Sequence, residues 1–203
     1  NGNDAIDRGS STVDDPGDRK IIGNSEPRYL YTISLNADWN GFFLSALFDG
    51  VGRQQWFPSD ESLFWGMYNR PYNQVPTWHL QNYWTEERPN AYLPRYVGYY
   101  GPMNANTVNV NTRYLQDVSY IRLKNLTVDY TFPAHICRKM RIKGLKVYVS
   151  GENLWTSSPM FKYCDNYDPE VINAGDSDFR TAEGDGYSYP MLRTVTLGLN
   201  LTF

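Results

Sequence analysis

The stretch Met191-Leu-Arg-Thr-Val-Thr-Leu-Gly-Leu-Asn-Leu-Thr-Phe203 decides the fold. Successive side chains of an extended strand point to opposite faces, so Val195, Leu197, Leu199, Leu201 and Phe203 share one side. Thr194, Thr196, Gly198, Asn200 and Thr202 share the other. One face is apolar throughout, and the other is polar without charge. Two architectures use such a strand: a soluble sandwich, or a membrane-spanning β-barrel whose wall alternates in the same way.

The alternation recurs upstream. Tyr29, Tyr31, Ile33, Leu35, Ala37 and Trp39 oppose Leu30, Thr32, Ser34, Asn36 and Asp38, which predicts a strand over about 28–39. Asn40-Gly41 tolerates the positive φ angles of a type I′ hairpin, so the chain returns over about 42–52. A third strand is expected over 117–132. Its apolar phase is odd at Ile121 and Leu123 but even at Leu126, Val128, Tyr130 and Phe132, a one-residue slip that predicts a β-bulge at Lys124-Asn125. Pro133 ends that strand, and Ala134 to Gly144 reads as a turn carrying Arg138, Lys139, Arg141 and Lys143. Leu145, Val147 and Val149 mark a fourth strand over 144–155, and 190–203 is the fifth.

Loop lengths separate the two architectures. The connections run long (1–27), short (40–41), long (53–116), moderate (133–144) and long (156–189), and so alternate in length. A sandwich meets water at both ends and has no reason for this. An outer-membrane barrel keeps short turns on its inner side and long loops outside, which puts Asn40, Pro133 and Phe203 on one rim. The loop 53–116 has room for two short helices, one opened by Ser59-Asp60-Glu61 and one near Thr77 to Trp84. The fold class read here is all-β: about five antiparallel C-terminal strands of a large transmembrane barrel, with long extracellular loops.

Bulk properties narrow the function. Aromatics make up 16% of the 203 residues, yet no run approaches the ~18 apolar residues of a membrane helix. The net charge of −3 comes with no basic block, which removes nucleic acid as a partner. Cys137 and Cys164 lie in unlike surroundings and do not suggest a disulfide framework. The opening Asn1-Gly-Asn-Asp carries neither an initiator Met nor an export signal, so the chain reads as a piece of a longer protein. Five strands also cannot close a barrel, which takes about eight. Both edges are therefore expected to pair with strands outside this sequence, because an open edge in lipid costs several kcal/mol per unpaired group.

Several blocks are more specific than a pattern. Ile22-Gly-Asn-Ser-Glu-Pro-Arg-Tyr29 leads into Trp39-Asn-Gly-Phe-Phe-Leu-Ser-Ala-Leu-Phe-Asp-Gly-Val51, followed by Tyr83-Trp-Thr-Glu-Glu-Arg-Pro-Asn-Ala91 with Pro94-Arg95. Val118-Ser-Tyr-Ile-Arg-Leu-Lys-Asn-Leu-Thr-Val-Asp-Tyr-Thr-Phe-Pro133, Leu145-Lys-Val-Tyr-Val-Ser-Gly-Glu-Asn-Leu-Trp155, Tyr167-Asp-Pro-Glu170 and Tyr189 to Phe203 complete the series. In this order they resemble the C-terminal third of the SusC/RagA family of TonB-dependent outer-membrane transporters. The resemblance implies a barrel of about 22 strands filled by an N-terminal plug. It also implies drive from TonB through an absent N-terminal region and a SusD-like surface lipoprotein partner. The cargo implied is oligosaccharide or, in some members, peptide, and transporter–lipoprotein pairs that dimerise are compatible with it. The location implied is the outer membrane of a Gram-negative bacterium. The family's acidic Asp/Gly-rich stretch is shortened here to Asp14-Asp15-Pro16-Gly17-Asp18, and Cys164 has no counterpart in the motif. The competing reading is a secreted, aromatic-rich all-β glycan-binding module.

Catalytic chemistry finds no support. His135-Ile136-Cys137 lacks the further ligands of a zinc site and reads as an exposed turn. Asp176, Asp178, Glu183 and Asp185 miss the spacing of a calcium loop and read as a solvated segment. No nucleophile–base pair is legible, so no enzyme activity, metal or cofactor is assigned. The candidates for substrate or partner binding are the loop aromatics Trp56, Trp65, Tyr68, Trp78, Trp84, Tyr99 and Tyr100. Such rings either stack on cargo or pack a core for the loop itself, and most are expected to do the second. Arg122, Lys124, Asp129, Lys146, Glu152 and Arg193 are expected to face the lumen, since Arg or Lys at mid-depth on the lipid face costs about 2–4 kcal/mol.

Overall fold

Asn40 (φ 49°) and Gly41 (φ 86°) both take the left-handed conformation, as a type I′ turn demands. Strand β1 (Tyr29–Trp39) therefore returns directly as β2 (Phe42–Gly52), in register from Trp39 opposite Phe42 to Tyr29 opposite Gly52. The computed structural model describes residues 7, 9–10, 12–58, 62–68, 74–96, 110–164, 167–172 and 189–203. After β2 come the short strands β3 (Gln55–Trp56) and β4 (Gln116–Asp117), then β5 (Tyr120–Thr131), β6 (Gly144–Ser157) and β7 (Thr194–Thr202). The long strands form one antiparallel sheet in the order β1-β2-β5-β6-β7, and β3 pairs with β4 in a two-stranded sheet.

The bulge falls where the phase slip requires it. On β2, Leu47 and Phe48 are adjacent, but they pair with Asn125 and Leu123, leaving Lys124 as the extra residue of β5. Ile121 and Leu123 thereby join Leu126, Val128 and Tyr130 on one face. Pairing carries that face across the sheet: Leu35, Ala46, Leu126, Val149 and Leu197 all belong to it. It is unsheltered, with Leu197 76% and Val195 71% exposed. The only other sheet among the described residues is the β3–β4 pair, so none of them forms the second stacked sheet of a sandwich. Among the same residues, no helix is long and apolar enough to cross a membrane.

The rims separate as the loop lengths imply. Trp39 opposes Phe42, Phe42 opposes Tyr130, and Gly144 opposes Thr202, so Asn40, Pro133 and Phe203 leave the sheet at one end. The long connections leave at the other. The turn expected over 134–144 holds a short helix, α2 (Ala134–Lys139). Pro133 supplies a fixed φ before the first turn, its carbonyl accepts from Ile136 and Cys137, and Arg138 and Lys139 oppose the dipole at the last turn. The expected strand 117–132 is divided, because Val118 and Ser119 part β4 from β5. The Asn40-rim helix keeps His135 exposed, as the sequence suggests.

Within the long loop the chain makes a 3-10 turn, Leu63–Tyr68, and one helical turn, α1 (His79–Asn82). The Ser59-Asp60-Glu61 cap lies outside the described residues. A second 3-10 turn, Pro159–Lys162, follows β6. The segment ahead of β1 is tied to the same end: Gln55 N donates to the Asn24 carbonyl at 2.9 Å, and Gln54 Nε2 donates to Ser25 O at 2.8 Å.

Candidate functional site

At the loop end of the sheet, side chains from two separate connections, the one between β2 and β5 and the one between β6 and β7, build one aromatic core. Trp56, Phe64, Trp65, Leu93, Tyr114 and Val118 pack with Met160, Cys164, Tyr167 and Ile172. The rings meet edge-on or tilted, the arrangements their quadrupoles favour: Phe64 to Trp65 at 4.8 Å, Trp65 to Tyr114 at 5.2 Å, Trp56 to Tyr167 at 5.7 Å. Tyr92 and Tyr163 stack at 3.8 Å, which joins the loop before β4 to the loop after β6. Gln116 Nε2 donates to the Tyr92 hydroxyl and to the Tyr114 carbonyl, each at 2.7 Å. Burial raises the Tyr92 pKa above its ordinary value, so this hydroxyl stays protonated. Cys164 is buried beside Gln116, and the two cysteines are not joined in a disulfide.

His79 sits inside this core, fully buried at the start of α1. Its Nε2 lies 2.8 Å from the Phe64 carbonyl, which can only accept, so that nitrogen carries the proton. Nδ1 then accepts from the Tyr96 hydroxyl at 2.7 Å. Burial lowers the His79 pKa to about 4 against the opposing pull of the Phe64 carbonyl, and burial raises that of Tyr96 to about 12. Both groups are neutral at physiological pH. His79 therefore clamps two parts of the loop and is not placed to exchange protons with solvent.

A charged node fastens the loop after β6 to the polar face of the sheet. Arg122, only 3% exposed, donates from Nη2 to Asp168, from Nη1 to Glu170 at 2.5 Å and from Nε to the Thr156 hydroxyl at 2.9 Å. Lys124, the bulge residue, reaches the second oxygen of Glu170 at 2.5 Å. Asp168 also accepts the backbone N–H groups of Glu170 and Met191, at 3.0 and 2.9 Å. Burial pushes the Asp168 carboxyl up, but the bonds from Arg122 and the two amides outweigh it and hold the pKa below the ordinary value. Nearer the Asn40 rim, Lys146 pairs with Asp129 at 3.0 Å.

An open cleft lies beside the aromatic core. It has a volume of about 410 Å³ and is lined by Trp84, Pro89, Ala91, Leu93, Pro94, Arg95, Arg113 and Tyr114. Arg113 is held in place by its neighbours: Nε and Nη2 donate to the Tyr92 carbonyl at 3.1 and 3.0 Å, and Nη2 also reaches the Ala91 carbonyl at 2.8 Å.

The residues singled out in the sequence take different places. Trp56 and Trp65 are 5% and 0% exposed and belong to the core, so neither ring offers a face to a ligand. Trp78 packs on Phe64 at 5.2 Å and on His79 at 4.3 Å, leaving Trp84 as the loop tryptophan that lines the cleft. Tyr99, Tyr100, Asp176, Asp178, Glu183, Asp185 and the side chain of Tyr68 lie outside what the structure describes. Arg122 and Lys124 come together, as do Asp129 and Lys146. Glu152 and Arg193 are exposed and make no ion pair among the described residues. Sequence reasoning missed Asp168 and Glu170 as partners of Arg122; the available signal was a pair of carboxylates in the Tyr167-Asp-Pro-Glu170 block and a charged β5 with no partner in sequence. Among the described residues, no His, Cys, Asp and Glu cluster is arranged to hold a metal ion.

No family model matches the chain. It is similar to TonB-dependent receptor P3 of Formosa agariphila, 30% identical over 190 residues that cover 92% of this chain and 17% of the relative. TonB-dependent receptor P26 of the same organism is 36% identical over 125 residues, covering 59% of this chain and 12% of the relative. TonB-dependent receptor P39 is 25% identical over 196 residues, covering 96% and 18%. The chain thus spans less than a fifth of these relatives. Among solved structures, the RagAB peptide transporter superposes with a TM-score of 0.62 at 24% identity, covering 90% of this chain and 18% of the other. The RagAB peptide importer in its 'closed-closed' state gives 0.60 at 23%, covering 95% and 19%. At those identities the structures speak to the fold: the five-stranded sheet matches a section of a TonB-dependent receptor β-barrel.

Proposed function

The chain belongs to the TonB-dependent receptor family, and on that premise we propose that it is the C-terminal wall section and outer loops of an importer in a Gram-negative outer membrane. The observation that carries this reading is the pair of unlike faces. Across all five strands one face is apolar and open, and the opposite face bears Arg122, Lys124, Asp129 and Lys146. The first meets acyl chains, and the second, with Glu152 and Arg193, looks into a lumen completed by a plug domain outside this chain. In water the open face would drive aggregation, which weighs against a secreted glycan-binding module.

The edges β1 and β7 pair with further strands of the same receptor, since lipid leaves no other partner for their amides. The aromatic loops stand at the outer rim, where they meet a SusD-like lipoprotein and cargo. An oligosaccharide or a peptide is the cargo class, the latter supported by the RagAB likeness. Energy for transport comes from TonB through the N-terminal region. The test is energised uptake in cells carrying the full receptor. Labelled oligosaccharides or peptides enter when TonB is present and stop entering when it is deleted, and a tagged receptor brings down a surface lipoprotein. Entry unaffected by TonB would end the importer reading.

A further inference from the structure

Four loop tryptophans were candidates for binding, and three of them are engaged with other rings. Trp56, Trp65 and Trp78 each contact at least one described aromatic ring. Trp84 makes no such contact among the described residues; its backbone N–H is committed to the Leu93 carbonyl at 3.1 Å while its half-buried indole lines the cleft. Arg95, at the end of the 84–95 run, and Arg113, just ahead of β4, line the same cleft. Three bonds to the carbonyls of Ala91 and Tyr92, with the neighbouring Tyr114 side chain, hold the guanidinium of Arg113 at the cleft. Arg95 is exposed and makes no ion pair or hydrogen bond with the described residues. Among the described residues no carboxylate lines the cleft; Glu86 and Glu87 stand on the turn after Trp84 but not in its wall.

This composition selects a ligand chemistry. Two guanidiniums with no compensating acid among the described lining residues favour an anion, and the planar fork of arginine matches the oxygens of a carboxylate or a sulfate. A flat indole beside them suits the C–H face of a sugar ring. A peptide in extended form would instead need free backbone groups along the wall, and the wall offers few. Pro89 and Pro94 have no N–H, while the N–H groups of Trp84, Ala91 and Leu93 already donate to Leu93, Arg88 and Asn82.

We propose that the Trp84 cleft is a subsite for an acidic oligosaccharide, with one anionic sugar laid on the indole and its carboxylate or sulfate between Arg95 and Arg113. This rests on the importer reading and names its cargo more narrowly. The volume of about 410 Å³ falls within the range of small-ligand sites.

The experiment is calorimetric titration of the full-length receptor in detergent with four probes: an oligogalacturonate, a sulfated galactan oligosaccharide, a neutral maltooligosaccharide and an oligoglutamate peptide. One of the two anionic saccharides binds at least about tenfold more tightly than the neutral one, and added salt weakens it. The two anionic arms tell carboxylate from sulfate. Arg95→Gln, at an exposed position that does not threaten folding, weakens that binding by roughly tenfold or more. Trp84→Ala does the same, and Trp84→Phe retains most of the affinity because a flat ring remains. Unchanged affinity in both Arg95→Gln and Trp84→Ala would overturn the proposal. So would equal affinity for the neutral sugar, tighter binding of oligoglutamate, or loss of a copurifying lipoprotein in place of sugar binding. TonB-dependent uptake of neutral cargo with no anionic preference sinks the subsite alone, whereas absence of any TonB-dependent uptake sinks the importer reading beneath it.

Discussion

Arg122, in the wall of the sheet, holds Asp168 across 46 residues of sequence, and Asp168 in turn accepts the N–H of Met191 just ahead of β7. One carboxylate thus closes the neck of the loop after β6 and pins it to β5. Both side chains are nearly inaccessible, at 3% and 5% exposure, so removing either partner strands a charge away from water. For buried pairs that cost is about 3–5 kcal/mol. Arg122→Ala is expected to free the loop while the strands stay paired. Hydrogen exchange on the full receptor should show the Met191 amide losing protection by orders of magnitude, with the β5 and β6 amides changed little. Protection retained at Met191 would mean that Arg122 and Asp168 do not hold the loop.

His79 gives the aromatic core a dependence on acid. Its pKa in the folded chain is about 4 against an ordinary value of 6.5, mainly because burial disfavours the imidazolium. A depressed pKa means that the opened loop binds a proton before the closed one does, so stability from this group is complete above pH 6.5 and drains away as pH falls to about 4. The stability-versus-pH slope should be positive across that window and flatten below it. Limited proteolysis of the 74–96 segment, followed from neutral to acidic pH, reads this directly. His79→Gln should remove the slope while lowering protection at every pH.

Much of this fold was legible because strand physics is local. Alternation marked Ile33 to Trp39 and Val195 to Leu201, Asn40-Gly41 marked the hairpin, and the phase change between Leu123 and Leu126 located the bulge at Lys124. The helix at Ala134–Lys139 escaped because one short turn offers too little periodicity to distinguish from a charged loop. The site was harder to read for a different reason. The neighbours of Trp84 and Trp65 in sequence do not tell which indole is enclosed; that depends on Tyr114 and Phe57 arriving from other parts of the loop. The partners of Arg122 lie equally far away in sequence, and alternation has no means of naming them.

Gly198 leaves room on the polar face for a tyrosine ring. Tyr148 on β6 lies across it, and a Cβ built on Gly198 would stand 2.0 Å from the ring. Gly198→Ala therefore forces the tyrosine out of its position at a cost of about 1–3 kcal/mol, the range for overpacking. Folding yield of the receptor in detergent or outer membranes should fall for the alanine variant. Pairing it with Tyr148→Ser should recover the yield, since the obstructing ring is gone. A double variant as poor as the single one would show that some other contact at Gly198 matters.

The two faces of β7 offer the sharpest test of the membrane reading, because Leu197 and Thr196 are neighbours in sequence, are both exposed and point in opposite directions. In a soluble sheet with both faces in water, arginine at either place would be tolerated about equally. In a barrel wall the outcomes diverge. Leu197→Arg puts a guanidinium among acyl chains and costs about 2–4 kcal/mol near the bilayer midplane, whereas Thr196→Arg places it on the wet side at little cost. Denaturant titration of the full receptor refolded into lipid vesicles should show that difference, and it should shrink at Leu201, closer to the Phe203 rim. Equal stability of the Leu197→Arg and Thr196→Arg variants would mean that the aliphatic face does not meet lipid.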